Sequence, residues 1–361
     1  MQKTLSEISE YIKILIPAVL PQNYQLKAVL TKISNENNIR GGVFAFRDFL
    51  YQLYDRFITN GSLYDVPPKK AKNEDSSHGN ASSLAVSYPF LNNITSVLIN
   101  IGYHGKIAKN GDSIMFSNLQ SLTSVIGAQG GQVKQNISAA KVIESLKFLT
   151  SCGIYFDGIN LDSKKPNLEK INILKISYPD NPIMLIGLKA MAIAHNDLNS
   201  KNDYYIFQRC DYKALIKDDL DITAFFKDFI LPLPAKTQKF IFKLHQHYID
   251  AGLICKMKNH FLGFCFSYSY KNNILWDYTI SPDGFRIFIK AKNTDKYADV
   301  IKKFPLSLQK KINKGYGCEK KRFGKPCQKG CHGFGFTLDD SILEISREIE
   351  VWIDKELSFF K

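Results

Sequence analysis

Three cysteines and a histidine crowd one glycine-rich stretch, Gly315-Tyr-Gly-Cys318 followed by Cys327-Gln-Lys-Gly-Cys331-His332-Gly. Glycines permit the tight turns that gather thiolates, and Cys327-x3-Cys331 has the spacing of a zinc knuckle. These residue types point to a structural zinc ion held by Cys318, Cys327, Cys331 and His332. His332 directly follows Cys331, an awkward place for a fourth ligand, so Cys255 and Cys265 are further candidates to approach the ion in three dimensions. The complete two-pair spacing of a zinc finger is missing, and so are the cysteine runs of iron–sulfur proteins. Two other readings stay open. The thiols are small buried groups in a glycine-rich loop, or one is a reactive thiolate favoured by Lys320, Lys321, Arg322 and Lys325. No histidine partner for such a nucleophile is assignable from spacing.

The same stretch concentrates positive charge. From 302 to 329, ten basic residues (Lys302, Lys303, Lys310, Lys311, Lys314, Lys320, Lys321, Arg322, Lys325, Lys329) face Glu319 alone. Over the 361-residue chain, 48 Lys+Arg against 34 Asp+Glu leave a net charge of +14. Such an excess attracts polyanions, so the expected partner is nucleic acid, DNA or RNA, with Tyr316 and Phe323 as stacking surfaces. The residues that follow reverse the sign: Asp339, Asp340, Glu344, Glu348, Glu350, Asp354 and Glu356 oppose Arg347 and Lys355. Two arrangements compete. Either the acidic helix neutralises the basic segment, or the basic segment is displayed and the helix closes the domain. An acidic protein partner is the alternative occupant of a displayed segment.

These groups must be positioned by the elements of residues 236–361. Phe240, Ile241, Leu244 and Tyr248 recur at helical spacing, and strands are expected at 262–270, 274–280 and 285–291, the last two joined by the turn Ser281-Pro-Asp-Gly284. Phe264, Phe266, Tyr268 and Tyr270 alternate with Cys265, Ser267 and Ser269, and Trp276, Tyr278 and Ile280 form a matching face. An aromatic sheet face can stack bases, but a sheet needs a cover, and the helix at 236–250 is expected to make this face core. His245 and His247 are two apart on that helix, point to nearly opposite sides, and cannot chelate one ion. Asp218, Asp219 and Asp221 precede a helix and are read as caps rather than metal ligands. The stretch 236–361 resembles an uncharacterised bacterial cysteine-containing domain through Phe264–Tyr270, Trp276 and the spaced cysteines. That resemblance implies a shared fold and no activity.

The middle of the chain repeats itself. Leu91, Val97, Leu98 and Gly102 are followed 51 residues later by Val142, Phe148, Leu149 and Gly153. In each copy a helix is expected to end at a glycine with a left-handed cap and lead into a hairpin, and a third copy runs from Phe240 through Gly252. Residues 87–195 resemble the winged helix-turn-helix family of bacterial regulators, the resemblance being carried by Ser138–Ser151, Gly153 and the hairpin 154–178. It implies a helix that enters the major groove and a wing on the backbone. The matching positions are Ser138, Lys141, Ser145 and Lys147 on the helix and Lys164 and Lys165 at the wing tip. Glu144 on the same helix would repel phosphate, and an ordinary α/β fold with a solvated hairpin is the competing reading.

Residues 4–59 read as three helices, with stripes at Leu5–Val19, Leu26–Ile33 and Phe46–Ile58 and a break at Gly41-Gly42. The expected fold class is therefore α+β. A helical bundle occupies 1–64, a linker 65–86, a winged-helix-like helix/hairpin region 87–200, a connector 201–235, and an antiparallel sheet packed on helices 236–361. Glu7, Glu10 and Lys13 spoil a signal peptide, the seven cysteines suit reduced thiols, and no stretch reaches the ~18 consecutive apolar residues of a membrane span, so a cytoplasmic protein is expected. The sequence contains no P-loop, HExxH or GxSxG. The favoured reading is a nucleic-acid-binding protein, a regulator in form, whose contacts are Lys141, Lys147, Lys164, Lys165, Lys310, Lys311, Lys314, Lys320, Lys321, Arg322, Lys325 and Lys329. An enzyme with a cysteine or metal site in the C-terminal domain is the alternative, with no catalytic residue assigned.

Overall fold

In the computed structural model, the residues described are 3–17, 24–64, 88–117, 119–124, 137–162, 168, 171–196, 204–217, 221–260, 263–314 and 333–361. The chain is α+β and forms two compact units, Met1–Leu220 and Asp221–Lys361. No described helix is long and apolar enough to cross a membrane.

The first unit opens with α1 (Leu5–Leu15), started by a capping box in which Thr4 N–H donates to Glu7 Oε2 at 2.7 Å and the Thr4 hydroxyl accepts from Glu7 N–H. Its buried stripe of Leu5, Ile8, Ile12 and Leu15 packs on α2 (Glu36–Asn60). The stripe expected as a second helix is only a 3-10 turn, Leu30–Lys32, and α2 runs straight through Gly41-Gly42. The reason lies across the core in α3–α5. Helix α3 (Pro89–His104) leads into β1 (Lys106–Ile107) and β2 (Ser113–Phe116). Helix α4 (Ala139–Ser151) leads into β3 (Tyr155–Asp157) and β4 (Leu174–Ser177), and α5 (Met184–Asn196) follows. Met184, Leu185, Leu188, Met191 and Ala192 are all buried, so α5 is covered on nearly every side and central. A Cβ at Gly187 would lie 1.9 Å from the Gly42 carbonyl oxygen, and one at Gly42 would lie 2.6 Å from Gly187 N. The glycine pair brings two backbones together instead of breaking a helix.

Gly102 corrects a second expectation. It lies inside α3, where a Cβ would come within 2.6 Å of Ala192 Cβ, and so serves contact with α5 instead of a left-handed cap. Gly153 does adopt the expected conformation, at φ +92°. It forms a Schellman end with Ile154 N–H donating to Leu149 O (3.1 Å) and Gly153 N–H to Thr150 O (3.0 Å). The two hairpins join through their second strands into one antiparallel sheet of order β1-β2-β4-β3. The short helix α6 (Tyr204–Gln208) ends in a buried turn where Arg209 and Asp211 pair at 3.7 Å.

The second unit begins with α7 (Ile222–Ile230), capped by the Asp221 carboxylate accepting from Thr223 N–H, which bears out Asp221 as a cap. Helix α8 (Ala235–Asp250) ends at Gly252, φ +87°, with Leu253 N–H donating to Tyr248 O (2.9 Å), the same Schellman end as after α4. Five strands then form an antiparallel meander: β5 (Ile254–His260), β6 (Gly263–Tyr270), β7 (Asn273–Ser281), β8 (Gly284–Ile289) and β9 (Phe334–Thr337). Between β8 and β9 lie the described helices α9 (Ala298–Ile301) and α10 (Leu306–Lys314), and α11 (Ser346–Ser358) follows the sheet. The buried Glu356 of α11 accepts from the backbone N–H groups of Lys292 (3.0 Å) and Asn293 (2.9 Å) and from Asn293 Nδ2 (3.0 Å), tying the exit of β8 to the last helix.

The Gly42–Gly187 contact predicts that Gly187→Ala lowers the stability of the first unit by about 3 kcal/mol, because the methyl group has backbone rather than a movable side chain in its way. Urea unfolding of the variant checks this, and an unchanged midpoint would show that the helices can separate at no cost.

Candidate functional site

Each candidate residue is placed by its element. Cys318, Cys327, Cys331 and His332, with Lys320, Lys321, Arg322, Lys325 and Lys329, lie outside the described residues, as do Lys164 and Lys165 of the wing tip. Among the described residues no three His, Cys, Asp or Glu side chains stand close enough to hold a metal ion. Cys255 and Cys265 cannot join one ion. Cys255 pairs opposite Tyr268 on the helix-covered face of the sheet, whereas Cys265 pairs opposite Lys258 and points to the other face.

The four described thiols are all pushed upward by burial, Cys152 to about 11, Cys255 to about 12, and Cys210 and Cys265 in the same direction. Protonated thiols in such surroundings are poor nucleophiles. His245 is fully buried rather than half-buried. It stacks on Phe226 with ring centroids 4.3 Å apart, and its nitrogens meet Tyr268 Oη (2.6 Å) and Thr223 Oγ1 (3.1 Å). His247 faces outward toward Asp354, so the two imidazoles diverge as their spacing requires.

Lys141 and Lys147 are exposed on α4, but each meets a carboxylate: Lys141 Nζ is 2.6 Å from Glu144 and Lys147 Nζ is 3.2 Å from Asp162. The hairpin beside them is half of the four-stranded sheet, since β4 pairs with both β2 and β3. Lys310, Lys311 and Lys314 are exposed on α10, whose Leu308 and Ile312 are buried. Lys311 reaches the edge of the sheet, donating to Gly335 O with its ammonium 4.0 Å from the Phe336 ring centroid. Partial burial and the nearby Arg286 lower its pKa.

The C-terminal sheet sorts chemistry between its faces. Phe264, Phe266, Tyr268, Trp276, Tyr278, Ile287 and Phe336 share the inner face. Phe226 and Phe229 of α7, Tyr248 of α8 and Trp352 of α11 pack against it, so the aromatic face is core and not a stacking surface. The opposite positions make an outer face in two cross-strand rows. One is Lys256–Ser267–Asp277–Phe288–Gly335 and the other Lys258–Cys265–Thr279–Arg286–Thr337. Lys256, Lys258 and Arg286 are exposed there, and Lys290 pairs with Asp277 at 2.9 Å. Three acidic residues of α11 are engaged elsewhere. Glu350 meets Lys243 (3.2 Å), Asp354 accepts from Tyr248 Oη (3.1 Å), and Glu356 is buried. None of these described contacts neutralises the outer face. Density of charge along the chain did not single out Lys256, Lys258, Arg286 and Lys290. The available signal was their phase, one position off Cys255, Met257, Ile287 and Ile289.

Comparison with family models, with curated proteins and with solved structures finds no match to this chain.

The two buried imidazoles set an acid limit. Burial drops His195 and His245 to about 4, below the ordinary 6.5, so both are neutral in the fold. Their contribution is fully present above pH ~6.5 and is lost as pH falls toward ~4, because the unfolded chain takes up the protons first. Each unit carries one of these histidines and is expected to lose about 1.4 kcal/mol between about pH 7.5 and about pH 5.5, where few other groups titrate. Urea midpoints at the two pH values check this, and equal midpoints would contradict it.

Proposed function

We propose that this protein binds nucleic acid, with the outer face of the C-terminal sheet and the lysine-bearing α10 beside it as the contact surface. The observation that carries the reading is the separation of charge by one sheet. Lys256, Lys258 and Arg286 are exposed on the outer face, while Glu350, Asp354 and Glu356 of α11 are engaged behind the inner one. Cations grouped on one face, with the acidic helix on the other, raise the local potential for a phosphate backbone. Lys311 of α10 reaches the β9 edge at Gly335, Lys310 and Lys314 stand exposed on the same helix, and the basic segment 315–332 continues from them along the sequence. Lys141 and Lys147 on the winged-helix-like α4 are secondary contacts that would have to exchange Glu144 and Asp162 for phosphate. A regulatory role is what the winged-helix resemblance of 87–195 implies for such binding.

The test is fluorescence anisotropy of a labelled oligonucleotide titrated with the full chain at several salt concentrations. Binding should weaken steeply between about 50 and about 200 mM salt, and each of Lys256→Ala, Lys258→Ala and Arg286→Ala should reduce the slope of log K against log salt by about 1. Absence of binding at low salt, or binding that ignores salt, overturns the proposal.

A further inference from the structure

We infer that the outer face takes single-stranded nucleic acid and selects bases bearing an exocyclic amine, with Asp277 as the specificity-determining residue. The inference rests on nucleic-acid binding at this face. In the row Lys256–Ser267–Asp277–Phe288–Gly335, the strands place Asp277 directly beside Phe288, about 4.8 Å away in the hydrogen-bonding direction. Phe288 is half-buried and lies over Gly335, where a Cβ would come within 2.7 Å of its Cε1. Because Gly335 lacks a side chain, the ring can lie against the sheet, and a ring so placed is a platform for a base.

Asp277 supplies the second element. It is 7% exposed, and its Oδ2 is 2.9 Å from Lys290 Nζ. Its Oδ1 is buried with no hydrogen-bond partner among the described residues. A buried carboxylate oxygen without a donor is costly, and a ligand that brings a donor removes that cost. The same Lys290 Nζ lies over the Phe288 ring, 5.7 Å from its centroid, so one ammonium touches both the acid and the platform. A phosphate arriving beside the ring competes for Lys290, and once the ammonium turns toward it the carboxylate opens to the base edge. A base stacked on Phe288 extends over the neighbouring strand. There the carboxylate accepts from the exocyclic amine of cytosine (N4), adenine (N6) or guanine (N2), whereas thymine offers only an N3–H flanked by the O2 and O4 carbonyls that repel the carboxylate. Duplexed bases have both faces stacked and their edges paired, so a single strand alone can make both contacts.

The experiment compares labelled oligo-dC, oligo-dA, oligo-dT and a duplex of the same length by anisotropy, using the full chain at low salt. Oligo-dC and oligo-dA should bind about tenfold tighter than oligo-dT, and the duplex more weakly than oligo-dC. Asp277→Asn should bring the oligo-dC to oligo-dT ratio close to one, because its amide can also donate to thymine O4, while the salt slope stays unchanged. Phe288→Ala should weaken all single strands by about tenfold or more. Equal affinity of the unaltered protein for oligo-dC and oligo-dT, or duplex binding as tight as oligo-dC, overturns this inference and leaves nucleic-acid binding standing. Absence of binding to every probe overturns both.

Discussion

The register of β6 against β7 is the constraint on which the C-terminal unit depends. It sets Phe264, Phe266 and Tyr268 opposite Ile280, Tyr278 and Trp276, and stacks the Tyr268 and Trp276 rings with centroids 3.7 Å apart. Side chains alternate strictly along a strand, so a slip of one residue would turn these rings to water and drive Asp277 into the core. The two-residue turn Lys271-Asn272, both residues at positive φ (45° and 66°), sets Tyr270 opposite Asn273, and a bulge between Ser269 and Tyr268 then shifts the pairing by one residue so that Tyr268 meets Trp276. Packing the aromatic core and displaying the cationic face are therefore one requirement. Whatever stabilises the first also fixes the second.

The first unit meets a different constraint. Its helices approach through missing side chains, Gly42 against Gly187 and Gly102 against Ala192, so α5 can touch α2 and α3 at backbone distance. Close contact of this kind tolerates almost no added volume. The repeated helix–hairpin pattern fills the remaining side. Its two copies merge through β2 and β4, burying Ile114, Phe116, Leu174 and Ile176 that neither hairpin could cover alone.

The sequence made α8 and the three central strands of the C-terminal sheet legible, but not β5 or β9. The period-two run Phe264–Tyr270, the turn Ser281–Gly284 and the helical stripe through Tyr248 are local signals that tertiary packing did not need to override. Gly41-Gly42 and Gly102 misled for the same reason in reverse: glycine costs helix stability locally, and the helix that repays it is more than eighty residues away in sequence. Gly153 and Gly252, read by the same rule, do cap their helices because a strand follows at once. The candidate site was legible in part. Lys310, Lys311 and Lys314 stand in a dense run, whereas Lys256, Lys258 and Arg286 are separated by apolar residues and gathered only by strand pairing. The nearness of Asp277 to Phe288 is a matter of register between β7 and β8, which no single-strand pattern contains.

Glu356 gives the second unit an order of completion. The amides of Lys292 and Asn293 find their acceptor 64 and 63 residues further along the chain. As the polypeptide leaves the ribosome, β5 to β8 can pair as soon as they emerge, yet the amides of Lys292 and Asn293, in the bend that carries the chain away from β8, lack their Glu356 acceptor until α11 has been made. The edge beside β9, which Lys311 of α10 reaches, thus lacks this tie until the chain has been made through Glu356. A nascent chain would carry its positive charge for some time before the surface that organises it is finished.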